Sequence, residues 1–232
     1  MNPAPPVTSA RIERGIVSAG SASASFAAVA RGLFVSFEGI DRSGKTTQAR
    51  LLVNALGDDA VAVREPGGTA AGERIRTLLK DPDLTIGAHA ETLLFAAARA
   101  ELAEQVVRPA IDHGRVVVSD RFVDSSLAYQ GVARGLGVDA VARVNEWALA
   151  GLTPDLTIFL ELPAHDAAAR GGEEDRFEAE GAGLQERVRM AYEELATADP
   201  ERWKRVDAAR DTDSVHVDVL RLVQAARAEV TA

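Results

Sequence analysis

Residues 39–46 read Gly39-Ile40-Asp41-Arg42-Ser43-Gly44-Lys45-Thr46 and fit the phosphate-binding pattern G-x-x-x-x-G-K-[ST] at every position. The apolar run Leu33–Phe37 precedes this loop and predicts a buried strand, and helical spacing from Lys45 to Leu56 follows it. In such a unit, glycines let backbone N–H groups converge on phosphate oxygens, and the helix N-terminus adds its positive dipole end. We therefore expect Lys45 to reach the β- and γ-phosphates of a nucleotide and the Thr46 hydroxyl to ligate Mg²⁺.

Strand-like and helix-like segments alternate along the rest of the chain. Their apolar patterns predict strands at Val61–Arg64, Val116–Val118, Leu156–Leu160 and Trp203–Asp207, and helices at Ala70–Leu79, Glu91–Asp112, Glu186–Ala196 and Ser214–Ala228. The longest helix is expected to be disturbed near Pro109 and to end at Gly114. This alternation predicts an α/β fold with a parallel five-stranded sheet, covered by helices on both faces. Ligands of such sheets bind at the carboxyl ends of the strands.

The first 30 residues differ in composition from the rest of the chain. Proline recurs at their start, and Gly, Ser and Ala dominate from Gly15 to Ala30. Such a segment buries too little apolar area to offset its ordering entropy. We therefore expect residues 1–30 to form a disordered extension, or to reflect a misassigned start, and residues 31–232 to form a single P-loop domain. The apolar stretch Phe26–Ala30 is too short for the core of a secretory signal, which favours a cytoplasmic protein.

Composition excludes several classes of protein. The 232 residues include no cysteine, which excludes a disulfide scaffold, a zinc ribbon, an Fe–S site and a cysteine nucleophile. Apolar residues make up 47% of the chain, but no run of about 18 of them occurs, so we expect no membrane span. The net charge of −9 is opposite to that of a protein that grips the nucleic-acid backbone. We therefore expect no nucleic-acid partner.

Four charged side chains at predicted strand ends are candidates for chemistry. Arg42 is a permanent cation within the loop and could stabilise charge on a transferred phosphoryl group. Asp41 could hold Mg²⁺, accept from a sugar hydroxyl, or only stabilise the turn. Asp120 follows the strand Val116–Val118, where P-loop enzymes carry a second Mg²⁺ support. Arg121 would point into the same crevice, unless Asp120 and Arg121 form a structural buried pair.

Several blocks of the chain resemble the thymidylate kinase family of P-loop nucleoside monophosphate kinases. They are residues 37–48, Arg64-Glu65-Pro66-Gly67-Gly68-Thr69, residues 93–99, residues 120–131, Pro154-Asp155-Leu156-Thr157 and Asp175-Arg176-Phe177-Glu178. The resemblance extends in order over about residues 31–228. The Glu-Pro-Gly-Gly block combined with Asp-Arg-Phe and Ser-Ser-Leu-Ala-Tyr-Gln-Gly is specific to the family. The resemblance implies an enzyme that transfers the γ-phosphoryl group of MgATP to dTMP, giving ADP and dTDP for dTTP synthesis. It also implies that this enzyme is a homodimer.

The resemblance also implies roles for matching residues. Phe95 would stack on thymine, Arg99 would contact the base edge, and Tyr129 would crowd the sugar 2′ position. Phe95 and Arg99 are spaced i and i+4, so one helix face presents a ring beside a cation, although Phe95 alone would fit an ordinary core. The implied dTMP-binding set is Asp41, Glu65, Arg76, Phe95, Arg99, Arg121, Ser126, Tyr129 and Gln130, in which Arg76 and Arg121 hold the acceptor phosphate. The implied ATP-binding set is Gly39, Ile40, Asp41, Arg42, Ser43, Gly44, Lys45, Thr46, Thr47 and Arg170. The implied catalytic set is Arg42, Lys45, Asp120 and Arg121, and the implied metal ligands are Thr46, Asp120 and Asp41.

A short lid is expected at about residues 170–177. Its centre, Glu173-Glu174-Asp175, is acidic and could not line a triphosphate on electrostatic grounds. We therefore expect Arg42 to supply the cation that stabilises the transferred group. The resemblance implies that Arg170 packs on the adenine of ATP, and Arg176 either contacts phosphate or anchors the lid.

Two other functions fit part of the pattern. A deoxynucleoside kinase would share the P-loop and would use Glu65 as a base toward a sugar hydroxyl. A phosphate acceptor needs no base, because its second pKa is about 6, and it needs arginines such as Arg76 and Arg121 instead. A regulatory P-loop switch would use its nucleotide state to bind a partner. The chain has no Asn-Lys-x-Asp guanine motif to support that alternative.

Overall fold

The computed structural model of the protein describes residues 31–171 and 182–230. Within them, five parallel strands form one sheet in the order β2-β3-β1-β4-β5. The strands are β1 (Phe34–Glu38), β2 (Ala60–Arg64), β3 (Val116–Asp120), β4 (Leu156–Glu161) and β5 (Trp203–Asp207). The three central strands are buried almost throughout, whereas the edge strands β2 and β5 alternate between buried and exposed positions. The predicted parallel five-stranded sheet is confirmed.

Helices cover both faces of this sheet. Their bounds are α1 (Lys45–Leu56), α2 (Ala70–Lys80), α3 (Ala88–Leu102), α4 (Arg108–Asp112), α5 (Val123–Ser126), α6 (Val138–Leu149), α7 (Ala164–Ala169), α8 (Ala182–Ala198) and α9 (Thr212–Val230). Alternate side chains of β1 point to opposite faces, as strand geometry requires. On one face, Val35 belongs to a core that includes Leu52 of α1 and Val219 of α9. On the other, Phe34 packs in a core with Leu102 of α3.

The long helix predicted at Glu91–Asp112 is divided. It starts earlier, at Ala88, and its α-helical part α3 ends at Leu102. A wider π-helical stretch, Ala103–Val107, separates α3 from α4. The cause is Pro109, which has no N–H to donate to the carbonyl four residues earlier, so the preceding turn widens. The expected disturbance near Pro109 therefore extends over a whole turn.

The segment after β3 carries helical structure that the sequence analysis did not predict. A π-helical stretch, Leu127–Ala133, continues α5, and α6 follows it. Polar residues such as Ser125, Ser126 and Gln130 are buried here and interrupt the apolar periodicity that would reveal a helix.

Two predictions lie outside the described residues. They concern the extension over residues 1–30 and the part of the lid from residue 172 to residue 177. Of the predicted lid, the structure describes Arg170 and Gly171. None of the helices in the described part of the chain has the length and apolar character of a membrane span.

Candidate active site

The P-loop joins the carboxyl end of β1 to the start of α1. Gly39 has φ +144°, and a Cβ at this position would lie 2.8 Å from the Leu160 carbonyl oxygen. Only glycine fits so close to β4 in that conformation. Lys45, the first residue of α1, is buried and donates through Nζ to the Ile40 carbonyl at 2.6 Å and the Gly39 carbonyl at 3.1 Å. Burial and the nearby Arg121 guanidinium lower the pKa of Lys45 to about 8.

Thr46 and Asp120 meet at the edge of this loop. The Thr46 hydroxyl donates to Asp120 Oδ2 at 2.5 Å. The register of the sheet produces this contact, because Phe37 of β1 pairs with Asp120 at the end of β3. The structure thus brings together two of the three predicted metal ligands.

Asp41, the third predicted metal ligand, lies in a different set of contacts. Its carboxylate accepts from Arg121, from the Tyr129 hydroxyl at 3.0 Å and from Gln185 Nε2 at 2.7 Å. Gln185 Oε1 also accepts from the Asp41 backbone N–H at 3.1 Å. Burial alone would raise the pKa of Asp41, but the Arg121 and Lys45 charges lower it below its usual value. The ion pair of Arg121 is therefore with Asp41 of the P-loop.

A cavity of about 300 Å³, which we call the acceptor cavity after the residues predicted to bind dTMP, opens beside the P-loop. Every residue predicted to bind dTMP lines it, namely Asp41, Glu65, Arg76, Phe95, Arg99, Arg121, Ser126, Tyr129 and Gln130. So do further residues that the sequence analysis did not single out for this site, namely Arg64, Pro66, Lys80 and Ser125. Aromatic surface and several arginines in one concave site suit a nucleotide, which offers a flat base and an anionic phosphate.

Arg99 is a buried residue that lines the acceptor cavity. It is 1% exposed and pairs with Glu65 at 2.6 Å, and it also donates to Ser126 Oγ at 3.1 Å and Asn145 Oδ1 at 2.5 Å. Burial raises the pKa of Glu65 to about 7, although the Arg99 charge opposes the rise. Arg99 and Glu65 thus form a buried pair that the protein itself holds in place.

A second cleft of about 520 Å³, which we call the donor cleft after the residues predicted to bind ATP, also borders the P-loop. Most of the predicted ATP-binding residues line it, namely Arg42, Ser43, Gly44, Lys45, Thr46, Thr47 and Arg170. Gly39 and Ile40 instead contact Lys45 through their carbonyls, and Asp41 lines the acceptor cavity. The loop from Ala208 to Thr212 completes the donor cleft, and Arg170 donates to the Ala208 carbonyl at 2.6 Å. Arg42, Lys45 and Thr46 line both the cleft and the acceptor cavity.

The model of the family described as thymidylate kinase matches residues 37–219 of the chain. The chain belongs to the thymidylate kinase family. It is 48% identical over 198 residues to the thymidylate kinase of Symbiobacterium thermophilum, covering 83% of this chain and 92% of the relative. It is 45% identical over 203 residues to that of Halothermothrix orenii, covering 84% and 97%. It is 48% identical over 187 residues to that of Desulforudis audaxviator, covering 78% and 85%.

As a thymidylate kinase, the chain is an enzyme that transfers the γ-phosphoryl group of ATP to dTMP, giving ADP and dTDP. The resemblance noted in the sequence is therefore confirmed. Neither the deoxynucleoside kinase nor the regulatory switch is favoured by these relatives.

Several side chains that hold the thymidylate kinase site together carried no local signal in the sequence. Gln185 and Tyr192 come from α8, Asn145 comes from α6, and Glu91 comes from the start of α3. Glu91 accepts from Gln130 Nε2 at 2.8 Å and pairs with Arg134. Each of these residues reaches the site only because the fold brings distant helices together, and helical periodicity alone does not indicate that.

Proposed function

We propose that the acceptor cavity binds dTMP and the donor cleft binds ATP, and that phosphoryl transfer takes place where the two meet. One observation carries this proposal: Arg42, Lys45 and Thr46 line both sites, so that a phosphate in one lies next to a phosphate in the other. Transfer between two such phosphates depends mainly on positioning and on electrostatic stabilisation. The cytoplasm, which supplies ATP and nucleoside monophosphates, is the proposed location.

In the acceptor cavity, Phe95 stacks on the thymine and Arg99 faces the base edge. Phe95 is only partly buried and lines the cavity, which supports a ligand-facing role over a core role. Arg76 and Arg121 neutralise the acceptor phosphate, and Tyr129, Ser126 and Gln130 enclose the base and sugar together with Glu65. The acceptor phosphate needs no general base, because it is largely dianionic at neutral pH with its second pKa at about 6.

In the donor cleft, Lys45 and the amides of the P-loop hold the phosphates of ATP, and Arg170 lies against the adenine. The Lys45 ammonium donates to the neutral oxygens of the Gly39 and Ile40 carbonyls and of the Ser43 hydroxyl, so its charge is available to an anion. Arg42 stabilises the charge that spreads over the transferred group. Its guanidinium presents a planar fork to phosphate oxygens.

Thr46 and Asp120 are the residues that would hold Mg²⁺. A hydroxyl and a carboxylate oxygen 2.5 Å apart are ligands of the kind that Mg²⁺ takes, alongside water and substrate phosphates. Among the described residues, no group of three or more Asp, Glu, His or Cys side chains is placed to hold a metal ion. When bound, Mg²⁺ neutralises phosphate charge. Asp41 remains a candidate third ligand, although Arg121, Tyr129 and Gln185 occupy its carboxylate here.

A homodimer is proposed through the neighbouring helices α3 and α6, which pack together. Leu93 of α3 is 60% exposed and Trp147 of α6 is 88% exposed. Large exposed apolar side chains of this kind mark contact surfaces between proteins. Trp147→Asp is therefore expected to convert a dimer into a monomer in sedimentation velocity, with the fold retained by circular dichroism. A wild-type chain that sediments as a monomer would contradict the proposal.

Phe95→Ala is expected to raise the KM for dTMP by about tenfold to a hundredfold, since stacking of a base on an aromatic ring contributes about 1–3 kcal/mol. The KM for ATP should change little, because Phe95 lines the acceptor cavity and not the donor cleft. Steady-state kinetics with each substrate varied in turn give both values. An unchanged KM for dTMP would assign Phe95 to the hydrophobic core.

A further inference from the structure

Glu38 is a fully buried carboxylate at the end of β1, directly before the P-loop. Its Oε1 accepts from the Phe122 backbone N–H at 2.8 Å. Its Oε2 accepts from the Ser125 hydroxyl at 2.6 Å and the Tyr192 hydroxyl at 2.9 Å. The proposed roles above assign nothing to this group, although it joins β1, the segment after β3 and helix α8 at one point.

The two hydroxyls that donate to Glu38 also accept from Arg121. Arg121 donates through one terminal nitrogen to Ser125 Oγ at 3.1 Å and to Tyr192 Oη at 3.1 Å. A hydroxyl has a single proton, so donating it to Glu38 leaves the oxygen lone pairs for Arg121. The two hydroxyls also lie 2.8 Å apart, where either can donate to the other. Where a hydroxyl donates to the carboxylate, the bonds run from guanidinium to hydroxyl to carboxylate.

Arg121 depends on such support because its backbone is strained. Its φ of 72° lies in the left-handed region, which costs free energy for a residue with a side chain. The other terminal nitrogen bonds Asp41 and the Tyr129 hydroxyl. Ser125 and Tyr192 hold the opposite edge of the guanidinium, together with the Gly39 carbonyl at 3.2 Å.

We propose that Glu38 is a positioning residue for phosphoryl transfer, which orients Arg121 against the acceptor phosphate through the hydroxyls of Ser125 and Tyr192. The proposal rests on the role given above to Arg121. Glu38 lines neither the acceptor cavity nor the donor cleft, and its oxygens accept from a backbone amide and from the hydroxyls of Ser36, Ser125 and Tyr192.

An amide cannot replace the carboxylate in this network. Both oxygens of Glu38 accept, so the NH₂ group of a glutamine would face either the Phe122 N–H, beside the Ser36 hydroxyl, or the hydroxyls of Ser125 and Tyr192. In the first orientation, two donors meet. In the second, the hydroxyls accept from the amide and turn their protons toward Arg121. Glu38→Gln therefore keeps the shape of the side chain and reverses the polarity on which the Arg121 contacts depend.

The test is a double-mutant cycle between Glu38→Gln and Arg121→Met, measured by steady-state kinetics. Glu38→Gln alone is expected to lower kcat/KM for dTMP by about tenfold to a hundredfold, the cost of a misplaced catalytic group. The KM for ATP should stay within about twofold. In the Arg121→Met background, which has already lost the guanidinium, Glu38→Gln should have a further effect of less than about twofold, because residues that act as a unit are not additive.

Two further variants keep the test decisive if Glu38→Gln folds poorly. Tyr192→Phe and Ser125→Ala each remove one linking hydroxyl and should show the same loss of kcat/KM for dTMP, which disappears when Arg121 is methionine. Thr157→Val is the matched control, since it removes a buried hydroxyl that contacts Asp124 and Arg202 instead. It should leave the kinetic constants within about twofold of wild type.

The outcomes separate this proposal from the role of Arg121. If the Glu38 and Tyr192 variants lose the same factor with and without the Arg121 guanidinium, Glu38 does not act through Arg121 and the proposal is wrong. If Arg121→Met leaves kcat/KM for dTMP unchanged, the assignment of Arg121 to the acceptor phosphate fails, and the positioning role fails with it.

Discussion

Arg42→Gly is expected to lower kcat by about 10³- to 10⁵-fold, the range over which a transition-state arginine acts in phosphoryl transfer. Arg42 lines both the acceptor cavity and the donor cleft, so its charge lies where the transferred group crosses between them. The two KM values should change far less than kcat, because the interaction strengthens as charge develops in the transition state. The measurement is steady-state kinetics with each substrate varied.

Glycine is a suitable replacement because of the backbone at this position. Arg42 has φ 63°, which glycine adopts without strain, so the melting temperature should not fall. Arg42→Lys should recover only part of the rate, since an ammonium cannot offer the two parallel bonds of a guanidinium. Arg176→Ala, in the predicted lid, should be milder. If Arg176→Ala loses more kcat than Arg42→Gly, the catalytic cation belongs to the lid and not to the P-loop.

Lys45→Met is expected to lower kcat by at least about 10²- to 10³-fold, as loss of a preorganised cation or donor at a developing charge does. The Lys45 ammonium is buried and rests on the Ile40 and Gly39 carbonyls. Burial lowers its pKa to about 8, and an approaching phosphate anion would raise that value and favour the charged form. Methionine retains an unbranched chain of similar length but no charge.

Lys204→Met serves as the control for this variant. Lys204 lies on the edge strand β5 and donates to the Pro200 carbonyl at 2.9 Å, away from both cavities. Its replacement should leave kcat within about twofold of wild type, the usual scale for a surface substitution. A Lys45→Met enzyme that keeps a tenth or more of the wild-type kcat would contradict the role proposed for the ammonium.

The sequence predicted those parts of the molecule that short-range pattern determines. One continuous stretch predicts β1, the P-loop and α1, because its apolar run, its glycines and its helical spacing all indicate a strand, a loop and a helix in that order. The contact of Thr46 with Asp120 was also predictable, because the P-loop and the start of α1 follow β1, Asp120 ends β3, and a parallel sheet brings the carboxyl ends of both strands to one edge. The sequence predicted the position of the helix disturbance near Pro109, because proline lacks the N–H donor of the helix ladder. It did not predict how many residues the π-helical turn covers, because that depends on how the helix packs.

The ion pair of Arg121 shows why the rest could not be predicted. Proximity in sequence suggested a pair with Asp120, but the left-handed backbone at Arg121 directs its side chain to Asp41 across the sheet. Likewise, nothing near Gln185 or Tyr192 in the sequence of α8 indicates that these side chains reach the P-loop and Glu38. Such contacts depend on how whole helices dock on the sheet, which local sequence patterns do not reveal.

The origin of the side chains around Asp41 has a consequence for the order of folding. Its bonding partners Arg121 and Gln185 lie 80 and 144 positions away along the chain. Local helical structure requires no loop closure, whereas contacts of such sequence separation, like the pairing of β1 with β4, form only once the long intervening loops have closed. A chain with its sheet assembled but α8 undocked would have native strands and an incomplete acceptor site. The recovery of kinase turnover during refolding therefore reports the arrival of α8, whereas far-ultraviolet circular dichroism reports the earlier secondary structure.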